Sequence, residues 1–438
     1  MSVQNPVILV PGITASRLSD WYPVSPETVW SVLGKKYTRV ALHPDNLKYE
    51  RDEPARVVPD KVFTIPYGEL IDELRHDLSP RGDRPTPVYP FAYDWRHPLD
   101  ETEALLADFV KEVIERTMLI PHYHEAGYAD DPKVDLVGHS MGGLIIAGYL
   151  EKEGRSAPVG KVATLGSPFR GSFEAALKVT TGLAELGLGS QSSSEREAAR
   201  LTPALYHLLP KFRGAIDAEP GLPRTLYNPN LWQPGILDTI AEYIRLHGLE
   251  KSDRKIRAHR LFRGILRKAQ AHRRRLESFK LGGTALQDND WLCIVGVNTE
   301  TRIKLRIRNV RNKPVFDLTS TDRQNRWDKN EYPQAERVRT GDGTVPYLGA
   351  QSAFIPVEKL VCVTPQDFGY WEVADRLLNK TVGLHGMLPK MNLIHRLIYR
   401  HFTGKSRKGT WGRPAPDLPE GQAWDPPIKR LNDESKRD

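Results

Sequence analysis

Val134-Asp135-Leu136-Val137-Gly138-His139-Ser140-Met141-Gly142-Gly143 is the stretch whose reading decides the fold. Strand-forming residues run into Gly-x-Ser-x-Gly, and Leu144, Ile145, Ile146, Tyr149 and Leu150 follow at helical spacing. A strand that turns sharply into a helix needs small residues on both sides of the corner. Gly138 and Gly142 supply them, so Ser140 can take a strained backbone with its hydroxyl pointing outward. This context reads Ser140 as a nucleophile; without it, Gly-x-Ser-x-Gly is an ordinary Gly-rich turn.

Outward from that corner, short apolar strands alternate with helical patterns. Pro6-Val7-Ile8-Leu9-Val10 runs into Pro11-Gly12-Ile13-Thr14, Tyr89 to Arg96 is a strand with its exit loop, and Val162 to Leu165 ends in Gly166-Ser167-Pro168. Between them, Leu105, Leu106, Phe109, Val110, Val113 and Ile114 space out an amphipathic helix over residues 101–118. The alternation predicts an α/β fold with a mostly parallel sheet and helices on both faces. In such sheets chemistry collects at the carboxyl ends of the strands. Ser140, the Gly12 loop and the Asp94-Trp95 loop all fall there, with Gly12, Gly138, Gly142, Asp94 and Trp95 read as supporting residues.

The expected organisation is a first core part over 1–171, a helical cap over 172–285, a second core part over 286–402 and a loose tail over 403–438. Residues 17–60 read as a long surface excursion of the kind that serves as a lid. Strands are expected again at Trp291–Gly296, Ile303–Ile307 and Lys359–Val363, and a last helix at Met391–His401.

The 438 residues carry a net charge of +8 and two cysteines, Cys293 and Cys362, both in apolar runs. Nothing resembles a disulfide framework, a metal-ligand spacing or a cofactor motif. No run of about eighteen apolar residues marks a membrane span, and the N-terminus has no basic and apolar leader. These features read as a cytoplasmic chain. The charge is local: residues 251–280 hold twelve Lys/Arg against Asp253 and Glu277, and the remainder is close to neutral. Over 254–276 the pattern is a basic amphipathic helix. It reads as a solvated face of the cap or as a contact for an anionic membrane surface. Nucleic acid is disfavoured, since no aromatic interleaving or reading motif accompanies the charge.

A serine nucleophile needs an acid and a base, and in α/β-hydrolases they follow it in the order acid, then His. Gly341-Asp342-Gly343-Thr344-Val345-Pro346 offers an acid whose flanking glycines let the chain bend inward. His385, between the last expected strand and the last helix, is the base favoured by position. His395 is its rival, within the apolar periodicity of that helix. The amides of Ile13 and Met141 are the expected oxyanion donors.

Taken in order, Pro6–Gly12, Tyr93-Asp94-Trp95-Arg96, Gly138-His139-Ser140-Met141-Gly142-Gly143, Leu165-Gly166-Ser167-Pro168, Leu208-Leu209-Pro210 and Gly341–Pro346 make the chain resemble the lecithin:cholesterol acyltransferase family. That family includes phospholipid:diacylglycerol acyltransferases and lysosomal phospholipase A2. The resemblance implies Ser140, Asp342 and His385 as a triad, and Ile13 and Met141 as the oxyanion hole. It also implies a membrane-contacting lid in residues 21–60, a cap over 172–285, and a lipid-ester acyl hydrolase or O-acyltransferase. A hydrolase for a small soluble ester and a non-catalytic binding protein on the same fold are the competing expectations.

Overall fold

The computed structural model describes residues 3–22, 25–31, 37–51, 55–182, 193–319, 323–324, 332–369, 372 and 383–434. Six strands form one fully parallel sheet in the spatial order Val361–Val363, Trp291–Gly296, Val159–Leu165, Val134–His139, Val7–Val10, Val88–Pro90. The first strand, Val-Ile-Leu-Val, is apolar at every position because both faces of the sheet are covered. Successive side chains point to opposite faces. Ile8 and Val10 therefore join one apolar cluster with the helices Leu99–Met118, Met141–Glu153 and Arg254–Ser278. Val7 and Leu9 join a second, with the helices Thr64–Leu78 and Asn392–Thr403.

Residues 172–285 hold the helices Phe173–Thr181, Ser193–Leu201, Pro203–His207, Pro234–His247 and Arg254–Ser278. The expected strand at 303–307 does not join the central sheet. Leu305–Val310 lies between Lys313–Asp317 and a strand of the cap region, Ile216–Ala218, in a separate three-stranded sheet. Its alternating buried and exposed side chains suit a sheet with one wet face, whereas the central strands are apolar throughout.

The excursion over 17–60 is also more than surface chain. Ser16–Asp20, Glu27–Trp30 and Val57–Val62 pair as an antiparallel sheet, and Trp30 is 1% exposed. Trp21 and Tyr22 stand exposed beyond it.

The tail is a correction. Beyond Thr403 the chain packs, with Ala415 and Ile428 buried and Trp411 pairing in parallel with Asn432. Arg413 exchanges two backbone hydrogen bonds with Cys362, at 2.8 and 3.1 Å, on the outermost strand of the central sheet. An edge strand exposes unpaired N–H and C=O groups, and this segment covers them. It has no apolar periodicity because single residues anchor it: Arg413 on Asp367 at 2.6 Å and the Trp424 indole on the Leu360 carbonyl at 2.9 Å.

Candidate active site

Ser140 sits between the strand Val134–His139 and the helix Met141–Glu153 with φ 53° and ψ −124°. A non-glycine residue at such φ is strained and persists only where its surroundings fix it. They do so here by close approach. A Cβ on Gly142 would lie 2.1 Å from the Val10 carbonyl oxygen, so only glycine lets the helix start against the end of the first strand. The Ser140 amide donates to the Leu165 carbonyl at 2.9 Å.

The structure brings three of the expected side chains into one line. His385 Nε2 lies 2.9 Å from Ser140 Oγ, and His385 Nδ1 lies 2.7 Å from Asp342 Oδ2. All three residues are buried. Asp342 is held by its own loop: Oδ1 accepts from the amides of Thr344 at 3.0 Å and Val345 at 2.7 Å. The His385 amide donates to the Asp342 carbonyl at 3.0 Å, which ties the two loops through the backbone. His395 points elsewhere, with its Nε2 donating to the Pro389 carbonyl at 2.7 Å.

Three further residues shape this line. Gly166 has φ 55°, and a Cβ there would meet Asp342 Oδ2 at 2.9 Å and His385 Nδ1 at 3.2 Å. His139, which precedes the serine, donates from Nε2 to the His385 carbonyl at 3.0 Å. Its Nδ1 must then accept, and it does so from the Tyr67 hydroxyl at 2.7 Å. The Tyr67 oxygen in turn accepts the Gly12 amide at 2.9 Å. One chain of hydrogen bonds thus links the Gly12 loop, the serine corner and the histidine loop. Burial, reinforced by neighbouring His385, pushes His139 down to about 3, so it stays neutral and keeps this tautomer. Burial likewise raises the Tyr67 phenol above its ordinary value. Only Gly166 carried a sequence signal, as the turn after a strand. Tyr67 and His139 meet across 72 residues.

Asp94 and Trp95 do a different job. Arg96, fully buried, binds both carboxylate oxygens of Asp94 and reaches Glu50 at 2.7 Å; the Trp95 indole donates to the Ser16 carbonyl at 3.2 Å. Burial opposes the charge on Asp94, but Arg96 overcomes it and holds the carboxyl well below its usual range. This cluster fastens the 17–60 excursion to the sheet, and none of these hydrogen bonds reaches Ser140, Asp342 or His385.

A cavity of about 420 Å³ opens on Ser140 and His385. Ile13, Phe63, Ile65, Leu205, Leu208 and Met387 give it an apolar wall. Among the described residues there is no cluster of His, Cys, Asp or Glu able to hold a metal ion. No described helix is long and apolar enough to cross a membrane.

The parallel sheet, the strained serine corner and the chain order Ser140, Asp342, His385 are those of the α/β-hydrolase fold. Within that class the chain resembles the lecithin:cholesterol acyltransferase family, whose model matches residues 68–223. The matched span contains Ser140 and ends before Asp342 and His385. No curated protein matches the chain. Among solved structures, a chain of the Tle4–Tli4 complex superposes with a TM-score of 0.53 at 15% identity, covering 81% of this chain and 90% of that one. At that identity the likeness is one of fold. Phospholipase PlaB from Legionella pneumophila matches over 41% of this chain and 28% of its own, with a TM-score of 0.24 and 15% identity.

Proposed function

We propose that the protein is a serine-dependent acyl hydrolase or O-acyltransferase for lipid esters. The observation that carries this reading is the Asp342–His385–Ser140 line opening on an apolar cavity. His385 Nε2 takes the proton as Ser140 Oγ attacks the ester carbonyl. Asp342 holds the proton on Nδ1 and stabilises the imidazolium. The tetrahedral oxyanion is met by the Met141 amide, at the first position of its helix where N–H groups lack intrahelical partners, and by the amide of Ile13. His385 then returns the proton to the leaving alcohol, which departs and leaves the acyl group on Ser140. Water or a second alcohol, deprotonated by the same histidine, releases it.

The apolar wall suits a fatty acyl chain, since each buried methylene contributes about 0.8 kcal/mol of transfer free energy. Exposed Trp21 and Tyr22, together with the cations of the 254–276 helix, support a peripheral contact with an anionic bilayer. A cytoplasmic site of action remains our reading of the chain's composition.

The test uses a fluorophosphonate probe and phospholipid vesicles, with wild type beside Ser140→Ala and His385→Ala. The expected result is labelling and fatty acid release by wild type and neither by Ser140→Ala. Labelling that persists in Ser140→Ala overturns the nucleophile. Labelling of wild type with turnover of short soluble esters but none of vesicles overturns the lipid substrate. Failure of wild type to label or to turn over either class overturns the enzyme reading.

A further inference from the structure

The helix Arg254–Ser278 borders a second cavity, of about 440 Å³, on the far side of the short helix Pro203–His207 from Ser140. That volume lies within the range of small-ligand sites. Leu47, Pro98, Ile244, Leu261 and Ile265 form an apolar side. The other side carries Lys48, Arg257, Arg260 and Lys268 against two acids, Asp45 and Glu101. Arg257 pairs with Asp45, and Lys48 approaches Glu101 at 4.0 Å. Both acids are thereby matched. Arg260 and Lys268 have no ion pair among the described residues.

Two observations mark this as a place for a ligand. Arg260, Gly264 and Lys268 stand at i, i+4 and i+8, so they line one stripe of the helix. Gly264 interrupts a 25-residue helix at a cost of about 1 kcal/mol relative to Ala. Packing does not demand it, because a Cβ there would meet nothing within 4 Å. It leaves an open notch between the two unpaired cations. His207 lines the same cavity at 1% exposure, and its Nδ1 is buried with no hydrogen-bond partner among the described residues. Burial, with His272 and Arg273 next to it, holds the ring neutral, so His207 brings an unpartnered polar atom to this wall and no further charge.

We infer that this cavity binds a phosphate-bearing amphiphile, its phosphate held between Arg260 and Lys268 over Gly264 and its apolar body laid against Leu261 and Ile265. The inference is independent of the role given to Ser140. The two cavities share a wall: Pro203 and His207 face this one, and Leu205 faces the cavity beside Ser140.

The test titrates the full chain calorimetrically with inorganic phosphate, glycerol phosphate and short-chain phosphatidic acid below its micellar concentration. Flotation with phosphatidylcholine vesicles, with and without phosphatidic acid, accompanies it. Phosphatidic acid should bind, and Arg260→Gln/Lys268→Gln should weaken it by tenfold or more, given about tenfold per charge-assisted contact. Gly264→Leu should fill the notch and weaken binding similarly, while its better helix propensity keeps Tm at or above wild type. In the titration of monomeric phosphatidic acid, where no bilayer field acts, Arg263→Gln/Arg267→Gln, on the same helix but outside the cavity, should stay within about twofold. Glycerol phosphate binding as tightly as the lipid identifies a soluble phosphate ester as the occupant; recruitment by phosphatidic acid vesicles alone identifies a headgroup. No binding by wild type, an equal loss in Arg263→Gln/Arg267→Gln, or unchanged affinity in Gly264→Leu overturns the inference.

Discussion

Asp342→Asn isolates the one contact that sets the protonation of His385. The orientation of the new amide follows from the loop. Asp342 Oδ1 accepts two backbone N–H groups, from Thr344 and Val345, so the carbamoyl oxygen of Asn must stay on that side. Its NH₂ then faces His385 Nδ1, which in wild type sits 2.7 Å from a carboxylate oxygen. An NH₂ can only donate, so Nδ1 must accept and the ring proton moves to Nε2, where it points at Ser140 Oγ. The base is thereby blocked while the fold keeps every backbone hydrogen bond of the loop. In serine hydrolases this inversion lowers kcat about 10⁴-fold, or about 5.5 kcal/mol on the barrier. The assay is hydrolysis of a short p-nitrophenyl ester across neutral to alkaline pH, with Tm recorded alongside. Tm should hardly move. Asp342→Ala should behave differently, because it strands the two amides, and each buried unsatisfied donor costs about 1–3 kcal/mol. A kcat for Asp342→Asn within tenfold of wild type would refute the reasoning, since the tautomer would then be set by something else.

Other outcomes follow from the same geometry. Gly166→Ala places a methyl 2.9 Å from Asp342 Oδ2 at a φ of 55°; kcat should drop more than tenfold and Tm should fall, and unchanged kinetics would count against a tight fit there. Tyr67→Phe removes the donor to His139 and the acceptor for the Gly12 amide, leaving two buried groups unpaired at about 1–3 kcal/mol each; denaturant unfolding should show the loss with a lowered kcat, and a variant as stable and active as wild type would dismiss the link. Acid should destabilise the fold early. Burial pushes His139 down to about 3 and His401 down to about 4, below the ordinary 6.5. Their stabilisation is therefore complete above the unfolded value and is lost as pH falls below about 6.5, because only the unfolded chain then takes up the protons. At pH 5 each should cost about 2 kcal/mol; a flat stability between pH 7 and pH 5 would contradict it, and His401→Gln should flatten the slope if it folds.

The sequence carried the side chains of the candidate site because the fold writes them as local motifs. Ser140 needs small residues within two positions, and Asp342 needs a bend that Gly341 and Gly343 provide. What sequence could not show was support from distant chain. Tyr67 lies in an ordinary amphipathic helix, and its partners Gly12 and His139 are 55 and 72 residues away. Nothing in its neighbourhood separates it from a core tyrosine. The sheet that the Leu305–Val310 strand joins stayed hidden for a related reason: a short apolar–charged alternation reveals one wet face but not its neighbours. The segment after Thr403 failed more instructively. Lys, Pro and Gly dominate it, so average composition reads as loose chain, yet covering a sheet edge takes only a few backbone bonds and isolated anchors such as Arg413 and Trp424.

The basic helix shows why charge counting needs the fold to be interpreted. Six of the ten cations on the helix Arg254–Ser278 fall into three groups with different physics. Arg275 reaches into the protein, with Glu103 at 2.6 Å and Glu151 at 3.1 Å. Glu103 also binds His272 at 2.6 Å and Lys152 of the Ser140 helix at 2.8 Å. Burial alone would raise the Glu103 carboxyl, but these bonds hold it below its ordinary value. This group welds the helix to Leu99–Met118 and to the C-terminal end of Met141–Glu153, and its charge is spent internally. A second group, Arg263, Arg267 and Arg274, is exposed and has no ion pair among the described residues. Such charges act through a screened field on the order of 10 Å deep, which suits an anionic surface and little else. The third, Arg260 and Lys268, flanks a notch and borders an apolar wall, where geometry adds to charge. A single number such as +10 over thirty residues therefore blends a structural bolt, a diffuse field and a candidate site. Only the last two respond to an external anion, and only the last distinguishes one anion's shape from another's.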